Sequence, residues 1–134
     1  MRWGGTTLGL ARRGNFLYDA VQMGHAETLG EFEQIVLLAI VRLGIDAYGA
    51  TIRREIGERT GRDVAVGALY TALERLERKG YVSSTLSDPT PQRGGRAKRY
   101  FRLRPAGAAA LRKSHRALTR MWAGIEPDAL TSRG

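Results

Sequence analysis

Between Gln92 and Arg104 the chain carries six cations, Arg93, Arg96, Lys98, Arg99, Arg102 and Arg104, and no acid. Guanidinium and ammonium groups at that density do one kind of chemistry well: they displace counterions from a phosphate backbone, an attraction blind to sequence that weakens as salt rises. A solvated basic loop is the plain alternative, and the surrounding framework has to decide between them. Other chemistries lack their residues. The two histidines, His25 and His115, do not form a metal pair, and there is no cysteine to supply a disulfide, a thiolate ligand or a thiol nucleophile. Neither a Gly-x-x-x-x-Gly-Lys-Ser/Thr phosphate loop nor a Gly-x-Ser-x-Gly elbow occurs, and no carboxylates cluster at metal spacing, so neither catalysis nor a cofactor is expected.

The whole chain shares the charge bias of that segment. Its 134 residues carry a net charge of +9, with 43% hydrophobic and 26% charged residues, the composition of one globular domain with a polyanionic partner. No stretch approaches the roughly 18 apolar residues of a membrane span, so no membrane partner is expected. Lack of cysteine suits a reducing compartment, and the expected location is cytoplasmic and nucleoid-associated. Residues 1–27 hold five glycines and basic clusters at Arg2 and Arg12–Arg13 without an apolar period, and read as a flexible basic arm. Two readings stand for its first 22 residues: a sequence upstream of a true start at Met23, or an arm that touches DNA. Arg12, Arg13, Gly14 and Asn15 interrupt any signal-peptide core.

Organisation sharpens at Thr28. Thr28-Leu-Gly-Glu31 has capping-box spacing and predicts a helix start, followed by an apolar stripe of Leu29, Phe32, Val36, Ala39 and Leu43, widened by Ile35 and Ile40. Gly44 ends that helix, Asp46 is placed to cap a second, and Tyr48, Ile52 and Ile56 share one face of it before Gly61. A third helix over 66–80 buries Leu69, Ala72, Leu73 and Leu76 and turns Gly67, Thr71, Glu74 and Arg78 outward, with Tyr70 and Arg75 on the flanks. Small, neutral groups on its first turns permit close approach to a duplex, and Glu74 with Arg78 is an expected i,i+4 pair on a solvated face.

From Tyr81 the period changes from helix to strand. Segments 81–86 and 98–103 read as a β-hairpin around an eleven-residue connector, 87–97, so the cationic run occupies a hairpin that follows three short helices. That order is the order of a winged helix, in which the third helix enters the major groove and the hairpin lies on neighbouring backbone or minor groove. A last helix starts at Pro105 and runs to Glu126–Pro127, with Leu111, Ser114, Leu118, Met121 and Ile125 at heptad spacing. Under three heptads is too short to stand alone, which predicts a symmetric dimer. Met121 and Trp122 have two readings, interface packing or the lining of an effector pocket between subunits.

Tyr48-Gly49 with Ile52, Gly67-x-Leu69-Tyr70-x-x-Leu73-x-Arg75-Leu76-Glu77-x-x-Gly80, and Gly95-Arg96-x-Lys98-Arg99-Tyr100 followed by Gly107 together resemble the PadR family of bacterial transcriptional regulators, over about 29–118. The resemblance implies a mainly α fold with a β-hairpin: a winged helix-turn-helix over 28–104, a dimerisation helix over 105–126 and a tail over 127–134. It also implies a homodimer that binds double-stranded DNA at a palindromic operator, usually represses, and is often released by a small molecule at the dimer interface. Carried onto this chain, the DNA contacts are Tyr48, Gly67, Ala68, Tyr70, Thr71 and Arg75, with Arg93, Arg96, Lys98 and Arg99 from the wing. The dimer contacts are Leu111, Leu118, Met121, Trp122 and Ile125. This chain departs from the family at Ala65, Ala68, Thr71 and Arg104, where relatives often have Ser, Thr, Pro and Thr, which removes hydroxyl caps before the third and last helices. A competing class is an RNA-binding winged helix, since Arg93-Gly-Gly-Arg96 is similar to an RGG element.

Overall fold

The computed structural model describes residues 29–87 and 97–130. Helix α1 (Glu31–Leu43) is central: α2 (Gly49–Thr60), α3 (Val66–Arg78), the second strand of a hairpin (β1, Val82–Leu86; β2, Arg99–Leu103) and α4 (Pro105–Trp122) all pack against it. This explains why more of α1 is buried than one amphipathic stripe provides. Leu37 lies off the expected stripe yet is fully buried with Val36 and Ile40, because partners approach α1 from several sides. The shared core is completed by Ile52 and Ile56, by Leu69, Leu73 and Leu76, and by Val82 and Phe101.

Two expected caps are corrected. The N-cap of α1 is Gly30 rather than Thr28, and Glu33, not Glu31, turns back to accept the Gly30 N–H at 3.4 Å. Lys79 holds the Glu33 carboxylate in place, with Nζ 3.0 Å from Oε2, so the carboxylate already sits over the first turn. Asp46 ends a short 3-10 turn (Gly44–Asp46) and caps nothing; the N-cap of α2 is Tyr48. Thr51 does the capping from inside the helix: its buried hydroxyl accepts the Tyr48 N–H at 3.0 Å and donates to the Asp46 carbonyl, satisfying both halves of a polar group that burial would otherwise penalise.

Helix α3 stops as its sequence predicts. Gly80 takes φ +81°, where an L side chain is strained, and its N–H reaches the Glu77 carbonyl while Tyr81 N–H reaches that of Leu76, the paired bonds of a Schellman end. The chain then enters β1, which pairs antiparallel with β2 in the register Val82↔Leu103 to Leu86↔Arg99. On its other edge β2 receives the segment before α2, through Phe101 N–H to the Ala47 carbonyl at 2.8 Å and a bridge between Tyr48 and Tyr100.

Helix α4 begins at Pro105 and docks through buried Gly107 and Ala110. It ends at Trp122, short of the expected stop, because the backbone leaves the helix at Ala123 and Gly124 takes φ +83° before the proline is reached. Ile125 therefore follows the helix instead of extending its stripe. No helix among the described residues is long and apolar enough to cross a membrane.

Candidate nucleic-acid interface

The outward face of α3 is made of small and polar groups. Gly67, Ala68, Thr71, Glu74 and Arg75 are exposed, while Leu69, Ala72, Leu73 and Leu76 hold the helix to the core. Ala65 caps the helix in extended conformation without a side-chain hydrogen bond, leaving first-turn N–H groups open to solvent or an anionic ligand. Arg75 has no ion-pair partner among the described residues. The expected Glu74–Arg78 pair is not formed. Glu77 instead accepts the Ser84 hydroxyl at 2.8 Å, and Ser84 in turn accepts from Arg99 Nη1 at 3.0 Å. Arg99 is thereby tied to the C-terminal end of α3, so helix and hairpin are braced through one serine.

Lys98 is held differently. Its ammonium lies 4.6 Å from the centroid of the Tyr48 ring, and Tyr48 meets Tyr100 edge-on at 5.2 Å. Residues before α2 and on the hairpin thus form one stack, and half-buried Tyr48 is the platform beneath a wing cation. Tyr70 from α3 reaches the same corner, its ring lying against Gly49. Arg93 and Arg96 lie outside the described residues. Tyr48→Ala is expected to lose the edge-on and cation–π contacts, lowering stability by about 1–2 kcal/mol in thermal melts, whereas Tyr48→Phe, which keeps the ring, costs under about 0.5 kcal/mol.

Two cations on α2, Arg53 and Arg54, lie outside what the apolar periodicity of that helix reveals. Arg53 Nε donates to the Val64 carbonyl and its Nη2 lies 3.4 Å from Asp63, which fixes it beside the lead-in to α3. Neighbouring Arg54 is exposed and has no partner among the described residues. The readable signal was the Arg53-Arg54 pair on the helix preceding a recognition-type helix. Of the expected dimer contacts, Leu111 is half-buried against the chain's own core, while Leu118, Met121, Trp122 and Ile125 are exposed. Leu38, Leu118 and Trp122 line an open, largely apolar groove of about 780 Å³ between α1 and α4, with Arg112, His115 and Arg116 also on its walls. Among the described residues no three His, Asp or Glu side chains stand together as a metal site.

Residues 37–113 match the family described as the transcriptional regulator PadR-like family. The chain belongs to that PadR-like family. A curated relative, the transcriptional regulator Rv3488 of Mycobacterium tuberculosis, is 41% identical over 75 residues, which are 54% of this chain and 64% of that relative's length. Solved structures agree in fold. A transcriptional regulator from Clostridium thermocellum superposes with a TM-score of 0.58 at 22% identity, over 75% of this chain and 92% of that one. A PadR family transcription regulator from Clostridium difficile gives 0.55 at 24% identity, over 69% and 95%. A PadR-like regulator from Bacillus cereus gives 0.59 at 17%, over 76% and 93%. The PadR-like chain is thus a winged-helix protein of a family of transcriptional regulators, not of enzymes, and the family match runs from within α1 through α2, α3 and the hairpin into α4.

Proposed function

We propose that this PadR-like chain binds double-stranded DNA as a homodimer at a palindromic operator and represses transcription there. The observation that carries the reading is the corner at which Tyr70, on the flank of the open α3 face formed by Gly67, Ala68 and Thr71, packs on Gly49 next to the Lys98–Tyr48–Tyr100 stack at the wing root. Small groups let α3 enter a major groove, and a cation fixed beside it meets the flanking phosphates. Tyr70 and Arg75 border the entering face, Arg93, Arg96 and Arg99 add wing charge, and Arg54 extends the cationic track along α2. Base-edge readout has few donors here apart from Arg75, so reading of groove shape by a wing arginine contributes to specificity.

In this reading residues 28–104 form the DNA-binding unit and 105–126 the dimerisation segment. Exposed Leu118, Met121 and Trp122, with exposed Ile125 just beyond the helix end, favour a second copy as their cover, since apolar side chains of this kind are costly to leave in water. The groove beside Trp122 gives the dimer a place for a small-molecule effector. Binding to chromosomal DNA would place the protein on the nucleoid.

The test is salt dependence. With about six phosphates neutralised per dimer, log K against log salt has a slope near −5, and Lys98→Ala, which removes one phosphate contact per protomer, reduces its magnitude by about 2. An unchanged slope in that variant would remove Lys98 from the interface.

A further inference from the structure

Gly49 is the first residue of α2, it is buried, and its backbone is helical with no positive φ, so conformation alone does not call for glycine there. Contact does. A Cβ built on Gly49 falls 2.0 Å from the Tyr70 hydroxyl oxygen and 2.7 Å from Cζ of the same ring, whereas Gly67 and Gly30 have nothing within 4 Å. Tyr70 comes from α3 and is 41% exposed, so only part of its ring is held, and its hydroxyl has no hydrogen-bond partner among the described residues. A phenol laid across the first turn of another helix, with its O–H unspent, is a donor kept in one place without being consumed.

From this we infer that Gly49 is a positioning residue for DNA binding: its missing side chain seats the Tyr70 ring on α2, so that the hydroxyl faces the wing root with its proton free for a phosphate oxygen. The inference rests on the DNA-binding reading above. Adjacent residues then place both partners of the corner, Tyr48 under Lys98 and Gly49 under Tyr70, and the N-terminus of α2 sets the spacing between recognition helix and wing. Because the atoms an added methyl at Gly49 meets belong to the far end of a flexible side chain that is 41% exposed and outside the buried core, the methyl displaces the ring and leaves the core alone.

The experiment is a double-mutant cycle with Gly49→Ala, Tyr70→Ala and both together, read by DNA affinity and thermal melting, with NOEs between the Gly49 Hα protons and the Tyr70 ring measured in the full chain. Wild-type protein shows the NOEs and Gly49→Ala lacks ring contact at that residue. Each single variant loses about tenfold in affinity for the target duplex, the double variant loses no more than Tyr70→Ala, and melting of the double variant matches that of Tyr70→Ala. Losses that multiply in the double variant, or a Gly49→Ala protein that binds as wild type does, overturn the inference. If wild-type protein binds no DNA, the functional reading falls, and the NOEs alone decide the seat: their absence in wild type overturns it as well.

Discussion

Gly107→Ala is expected to lower stability by about 2–3 kcal/mol, near the top of the usual range for overpacking. A Cβ at this position meets the Tyr81 carbonyl oxygen at 2.4 Å, Leu103 Cδ1 at 2.9 Å and the Tyr81 carbonyl carbon at 3.1 Å. Leu103 has rotamers in which to retreat, but the Tyr81 carbonyl does not: it accepts the Arg104 N–H at 2.9 Å, and Tyr81's own N–H is bound to Leu76. The strain therefore falls on the docking of α4, which carries the proposed dimer face. Urea denaturation should show a lower midpoint, and light scattering a weaker dimer, while Gly67→Ala on the open face of α3 leaves the midpoint unchanged or higher. An unaltered midpoint for Gly107→Ala would mean that α4 does not sit against the hairpin root.

Lys79→Met is expected to cost about 3 kcal/mol, because it strands the Glu33 carboxylate in the fold without its counter-charge. Lys79 Nζ lies 3.2 and 3.0 Å from the two carboxylate oxygens, with the side chains only 21% and 11% exposed, and the ammonium also stands 5.9 Å from the Tyr81 ring. The loss comes from stranding a charge, not from the worth of the pair itself. The double variant Glu33→Leu with Lys79→Met should accordingly recover most of the stability in the same denaturation series. Arg62→Ala provides the contrast: Arg62 and Glu31 are 41% and 77% exposed, and breaking that pair should cost less than about 1 kcal/mol.

What the sequence made legible was whatever repeats within one element. Leu69, Ala72, Leu73 and Leu76 recur at helical spacing and are buried as that spacing requires, and Gly80 stops α3 through its own backbone. The strand pair also follows from local pattern, to within a residue at its ends. Tertiary choices were not legible. Leu37 is buried because α1 lies at the centre of the fold, a fact no single-helix period contains. Thr28 and Asp46 have good capping chemistry, yet the caps are Gly30 and Tyr48, whose N–H groups are met by Glu33 and Thr51 from inside the helices, because Lys79 and the buried surroundings of Thr51 fix those side chains. The same holds at the interface. Lys98, Arg99 and Tyr70 were recognisable by type and motif, but the ring under Lys98, the serine that ties Arg99 to Glu77 and the glycine under Tyr70 appear only when the elements meet. Ala65 and Arg104 cap α3 and α4 without side-chain hydrogen bonds, as residues without a hydroxyl or carboxylate acceptor must.

In the proposed function the corner between α3 and the wing reads a DNA duplex in the context of a dimer. The most direct test of that reading is fluorescence-anisotropy titration of the purified chain with the duplex upstream of its own gene, a scrambled duplex and an RNA of matched sequence at two salt concentrations, with light scattering for mass. The expected result is a dimer that binds the upstream duplex tightly, prefers it over both competitors and weakens steeply with salt. A monomer that binds RNA best, or a protein that binds all three equally and weakly, would contradict it.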